Sequence, residues 1–129
     1  MQSVVHGERM LTDLDFARLS KFSSAPLADL LAGAEITSAR TVKPEVITMY
    51  SRAEVVDVYT RRRQVVTVCY PGDAEPAAGF ISVLSPLGTG LLGLQTGDVA
   101  RWLIPTGEEC AAEIAAVQYQ PEASGDYAR

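Results

Sequence analysis

The chain is poor in the residues that build metal and redox sites. Its one histidine, His6, has no second histidine to complete an ordinary zinc site, and no serine or cysteine near it forms a recognisable nucleophile pair. Two cysteines, Cys69 and Cys110, exclude a disulfide scaffold and a Cys-rich zinc site. Both lie among apolar neighbours, as reduced strand cysteines do; a bridge between them would require adjacent strands. Basic residues are outnumbered, 11 Lys+Arg against 16 Asp+Glu, for a net charge of −5. That argues against sequence-independent nucleic-acid binding, which needs a basic face to displace counterions. No window approaches the roughly 18 apolar residues of a membrane span, and the opening residues lack a signal peptide's apolar run. The expectation is a cytoplasmic protein with no membrane association. Internal repeats and low-complexity segments are also missing. Against these absences stand 129 residues, 47% of them hydrophobic, which exclude a disordered chain and provide for a real core.

Residues 1–44 read as a short antiparallel helical hairpin. Thr12 caps a first helix in Leu11-Thr12-Asp13-Leu14-Asp15-Phe16, with Asp15 in the capping-box position and Leu11 and Phe16 placed as a hydrophobic staple. This helix runs to Lys21 or Phe22. Ser24 caps a second, with Pro26 in its first turn. Leu27, Leu30, Leu31 and Ala34 share one helical face, and the helix should end near Arg40. From Glu45 onward β-branched residues dominate. Strands are expected at Val46–Tyr50, Glu54–Tyr59 (the latter a new strand or a continuation past a bend), Gln64–Tyr70, Phe80–Leu84 and Val99–Ile104. Cys110–Tyr119 mixes Ala and Glu with Val, so helix competes; the preceding Pro105-Thr106-Gly107 turn favours a strand. Leu87–Leu94 reads as one or two helical turns. Strands in a run, with helices segregated to one end, define an α+β fold of two parts, residues 1–44 and 45–129.

Four local features bear on chemistry. Gly88-Thr89-Gly90-Leu91-Leu92-Gly93 spells the dinucleotide fingerprint after a strand. Only 36 residues follow it, too few for the rest of a doubly wound sheet, and Gly97 ends any helix early. It reads as a tight strand–turn–helix connection. Arg61-Arg62-Arg63 reads either as a solvated turn or as a docking patch for acidic protein or phosphate. Asp13, Asp15, Asp29 and Glu35 are the acids of the hairpin, whose tip, Ser23 to Pro26, carries none. Trp102 is a binding anchor if exposed and a core residue if not. No nucleophile, base and oxyanion hole assemble, so no enzyme, no cofactor and no metal are expected.

Phe80 to Val99, with Ser85-Pro86, a short glycine-bearing helix and Gly97-Asp98 before the next strand, resembles the C-terminal domain of the GreA/GreB transcription elongation factors. Pro105-Thr106-Gly107, Glu113-Ile114 and Val117-Gln118-Tyr119 continue the pattern. The ending Tyr119–Tyr127, together with Val46–Arg52 and Thr12–Asp15, resembles the Rnk branch of that family. The resemblance implies an FKBP-like domain, an antiparallel sheet curled around a short helix, that docks on RNA polymerase at the rim of the secondary channel. It assigns Ser85, Pro86 and Leu87 to the docking surface. In Gre factors a long coiled coil then carries acidic tip residues to the catalytic magnesium and stimulates transcript cleavage; the Rnk branch binds polymerase and competes with Gre factors without doing so. Here the helices read as about ten and fourteen residues, roughly 15 and 21 Å, too short for that delivery.

The resemblance therefore implies a non-enzymatic, RNA polymerase-binding regulator that competes with Gre factors. One alternative is a small interaction module with a non-polymerase partner, or one that self-associates through Leu14, Phe22, Leu27 and Leu31 of the hairpin. The other is a cleavage effector dependent on Asp29 or Glu35.

Overall fold

The β-branched half of the chain forms one curled sheet, and the N-terminal helices fold down against it. A computed structural model describes residues 9–127; His6 lies outside the described residues. The elements run β1 (Met10–Thr12), α1 (Asp13–Leu19), α2 (Ala25–Gly33), β2 (Glu35–Thr37), β3 (Arg52–Asp57), β4 (Arg63–Cys69), β5 (Phe80–Ser82), α3 (Pro86–Leu91), β6 (Val99–Leu103) and β7 (Glu109–Tyr119). Single 3₁₀ turns occupy Pro71–Asp73, Pro76–Ala78 and Glu122–Ser124.

The five-stranded sheet has the order β5-β4-β3-β7-β6. β3 is antiparallel to both β4 and β7, β6 is antiparallel to β7, and β5 joins β4 in parallel. Residues 109–119 form a strand, so pairing on both sides overrides the helical leaning of its alanines. β7 slips register twice against β3, at Arg52/Ala53 and Glu54/Val55. Such irregularities bend a strand and add twist. α3 packs against β4, β5 and β6.

The N-terminal segment differs from a simple helical hairpin. The caps are as the sequence predicts: Thr12 Oγ1 accepts from Asp15 N–H at 3.0 Å, and Ser24 Oγ from Leu27 N–H at 3.3 Å. But α1 has only 7 residues and α2 only 9. α2 stops at Gly33 rather than near Arg40, because Glu35–Thr37 leaves the helix to pair in parallel with Met10–Thr12. Val46–Tyr50 likewise forms a buried turn rather than a strand. Ser51 Oγ accepts from Thr48 N–H at 2.8 Å, Tyr50 takes φ +67, and Val46 keeps one bridge, to Gln95.

A single apolar core draws on every part of this arrangement. Leu11, Leu19 and Leu27 join Ile47, Met49, Val66, Val68, Leu91 and Ile114 in one cluster, each at most 1% exposed. Each large aliphatic side chain so buried contributes about 1.5–3 kcal/mol of transfer free energy. Of the four residues expected to be free for self-association, Leu27 is fully buried and Phe22 stacks on Tyr70 at 6.0 Å. Leu31 is half-buried and only Leu14 stays exposed. The helices are too short to stand away from the sheet, so their apolar faces turn inward. Cys69 is buried on β4, Cys110 is half-buried on β7, and both are free. β3 lies between their strands, which rules out the bridge.

Candidate functional site

The turn between β5 and α3 is built from serine hydroxyls. Ser85 Oγ accepts from Gly88 N–H at 3.1 Å, capping α3, and donates to Ser82 O at 2.7 Å. Ser82 Oγ accepts from Leu84 N–H at 3.1 Å. Thr89 Oγ1 donates to Val83 O at 2.6 Å, tying the first turn of the helix back to the strand. Pro86 occupies the first helical position, where its missing N–H costs nothing. Gly88 is a packing requirement: an added Cβ would fall 2.0 Å from Ser82 O. Gly93 turns the chain at φ +86, with its Cβ position 3.2 Å from the backbone of Met10. The glycine fingerprint is thus a close-approach device, and a helix of 6 residues offers little aligned dipole to hold a phosphate.

The three residues assigned by resemblance take different places. Ser85 is half-buried, and its hydroxyl is engaged within the turn. Leu87 packs against the core. Pro86 is exposed, and beside it Leu84, 39% exposed, points outward. These two border a shallow, mainly apolar groove of about 350 Å³, completed by Pro26, Trp102, Leu103, Arg9 and Arg101. Leu103 is 62% exposed. Arg9 Nη1 donates to Thr89 O at 2.9 Å and Leu92 O at 2.7 Å, closing the end of α3. Burial draws its pKa down, opposed by the charge of Asp98. Arg101 pairs loosely with Glu109 at 3.9 Å on the exposed side of β6.

Sequence reasoning found Pro86 but missed Leu84, Leu103 and Arg9. Leu84 lay in an expected strand, and its outward direction depends on how the turn after β5 bends. Trp102 is half-buried: it packs on the core and also lines the groove.

The acids of the N-terminal segment are dispersed. Asp13 Oδ1 accepts from Leu14 N–H and Ala39 N–H. Asp15 is 2% exposed and accepts from Met49 N–H at 3.0 Å. Burial pushes its pKa up to about 6, against the lowering effect of that amide; the nearby Glu122 charge adds to the rise. Asp29 and Glu35 are exposed, one on α2 and the other on β2. Residues 20–24, between the two helices, include no acid. Among the described residues no three His, Cys, Asp or Glu side chains cluster as a metal site. Among the same residues no helix is long and apolar enough to cross a membrane.

Comparison with known proteins places this geometry. Residues 41–119 match the family "Transcription elongation factor, GreA/GreB, C-term". The chain is 34% identical to the regulator of nucleoside diphosphate kinase of Escherichia coli strain K12, covering 92% of this chain and 94% of the relative. It is 31% identical to transcription elongation factor GreA of Sinorhizobium medicae, covering 72% of this chain but only 58% of that protein. Among solved structures, a prokaryotic transcription elongation factor GreA/GreB from Nitrosomonas europaea superimposes with TM-score 0.70 at 31% identity, over 88% of this chain and 99% of the other.

Proposed function

The chain belongs to the GreA/GreB transcription elongation factor family, and from that premise we propose that it is an RNA polymerase-binding regulator of the Rnk type. In this reading the FKBP-like unit, sheet plus α3, docks near the secondary channel through the Leu84–Pro86 edge of the groove. It competes there with Gre factors and stimulates no transcript cleavage. The role is non-enzymatic and would be exercised in the cytoplasm. An effect on nucleoside diphosphate kinase, of the kind the relative's name states, would run through transcription.

One observation carries the reading: the exposed Leu84 and Pro86, set in an apolar groove on a rigid turn, on a chain whose helical arm has no reach. At 1.5 Å per residue, helices of 7 and 9 residues span only about 10 and 13 Å. Both are held in the core by Leu19 and Leu27, and their connection carries no acid. A chain so built supports occupancy of a docking site and not delivery of carboxylates to a distant metal.

The test is to replace the exposed pair, Leu84→Glu with Pro86→Glu, leaving Ser85 to cap α3. Circular dichroism should show an intact fold. Affinity for RNA polymerase core enzyme should fall by about tenfold or more, or about 1.4 kcal/mol. Unchanged affinity in a folded variant would refute the docking assignment.

A further inference from the structure

The turn joining β3 to β4 is rigid and presents its polar side chains outward. Asp57 organises it. Its Oδ1 accepts from Tyr59 N–H at 2.8 Å and Thr60 N–H at 2.9 Å. Asp57 N–H donates to Arg62 O, Arg61 N–H donates to Asp57 O, both at 2.9 Å, and Thr60 Oγ1 accepts from Arg62 N–H at 3.2 Å. Those amides hold the Asp57 carboxyl below its ordinary pKa, so the turn stays organised across the neutral range.

What the turn displays is unusual for a solvated loop. Tyr59 is 65% exposed, the most exposed large apolar side chain among the described residues. Arg61 takes φ +64, a left-handed conformation that Gly or Asn adopts at lower cost. Arg63 pairs with Glu54 at 3.3 Å, whereas neither Arg61 nor Arg62 makes an ion pair among the described residues. Below the turn runs a groove of about 460 Å³, bordered by Arg62 and lined by Val55, Gln64, Ala112 and Trp102. Trp102 also lines the groove beside Pro86, so the two surfaces share it.

We propose that this hairpin tip and its groove form a docking site for an acidic protein segment that seats an apolar side chain against Trp102. Tyr, Arg and Trp are the residue types that dominate protein–protein binding energy, and a pre-ordered tip loses little entropy on binding. Two unpaired guanidiniums fit carboxylates bidentately. Nucleic acid fits less well: its binding calls for cations spread along many phosphates, while here they are confined to one turn. The proposal stands apart from the polymerase reading and does not depend on it.

The probe is a fluorescein-labelled decapeptide of glutamates around a central leucine pair, titrated against the intact chain. Anisotropy and the emission of Trp102, the only tryptophan, report binding independently. Saturable binding that shifts Trp102 emission is expected, weakening as salt rises from ~50 to ~300 mM. Arg61→Gly with Arg62→Ala should weaken it about tenfold, and Tyr59→Ala by about threefold or more. Arg61→Gly suits the left-handed backbone, so this variant keeps the turn. Replacing the peptide's glutamates by glutamines should abolish binding. The proposal is overturned by no binding at millimolar peptide, by equal binding to the arginine and tyrosine variants, or by tighter binding of an oligothymidylate of equal length.

Discussion

Buried, with its pKa raised by desolvation, Asp15 should make this protein more stable in mild acid than at neutral pH. Its carboxyl is 2% exposed, accepts from Met49 N–H, and lies near the charges of Glu122 and Arg18. Folding raises its pKa from 3.8 to about 6, chiefly through desolvation. The folded state therefore holds the proton more tightly than the unfolded chain. The stabilisation is fully present below the unfolded value and is lost as pH rises through the folded one. Ionising Asp15 inside the fold costs about 3 kcal/mol, at about 1.4 kcal/mol for each of roughly two pKa units. Between pH 7.5 and pH 5 the linkage relation returns about 1.4 kcal/mol of that, a rise in Tm of roughly 4–8 °C for a domain of this size. Asp15→Asn keeps an acceptor for Met49 N–H and removes the charge. It should raise stability at pH 7.5 by about 1–2 kcal/mol, allowing for the favourable field of the α1 N-terminus that is lost, and flatten the profile. Asp15→Ala should instead destabilise by about 1–3 kcal/mol, since the buried amide loses its acceptor. Urea denaturation of the three proteins from pH 4.5 to 8 decides the matter. If wild-type stability climbed steadily from pH 5 to 7.5 and the asparagine variant ran parallel to it, the reasoning would be wrong.

Two glycines should respond oppositely to alanine. Gly88→Ala drives a Cβ into the Ser82 carbonyl and should cost about 3 kcal/mol or more, whereas Gly33→Ala, with open space around it at the end of α2, should gain about 0.5–1 kcal/mol; chemical denaturation measures both. Ser85→Ala removes the α3 cap and should cost about 1 kcal/mol in the same assay. Gln120 Nε2 donates to Lys43 O at 2.7 Å and Val46 O at 2.8 Å, so Gln120→Leu should destabilise by about 2–4 kcal/mol and speed amide exchange around residues 43–51.

Local chemistry was legible in the sequence. The caps at Thr12 and Ser24 each close a hydrogen bond within three residues, so nothing distant is needed to place them. The β-branched runs at Glu54–Tyr59 and Gln64–Tyr70 marked strands for the same reason. What escaped depends on partners far along the chain. Residues 34–40 continue a helical pattern, yet Glu35–Thr37 finds β1 and unwinds from α2. The run Val46–Tyr50 is buried, with Ile47 at 0% and Met49 at 1% exposure, but its backbone bonds are scattered among Gly93, Leu94 and Val68, so it forms a turn and not a strand. The candidate surface divides in the same way. Ser85 and Pro86 are readable as a local turn, while the groove combines Arg9, Pro26, Leu84 and Trp102 from four separate segments. The exposure of Tyr59 and the left-handed Arg61 likewise follow from how Asp57 folds the turn.

The central claim is that this chain shares a polymerase site with Gre factors and lacks their cleavage function. The most direct measurement is binding of the purified protein to RNA polymerase core enzyme, with and without excess GreA, alongside a cleavage assay on backtracked complexes. The account predicts micromolar or tighter binding that GreA displaces, and no cleavage above the intrinsic rate. Absence of binding at micromolar concentrations, simultaneous occupancy with GreA, or stimulated cleavage would contradict it.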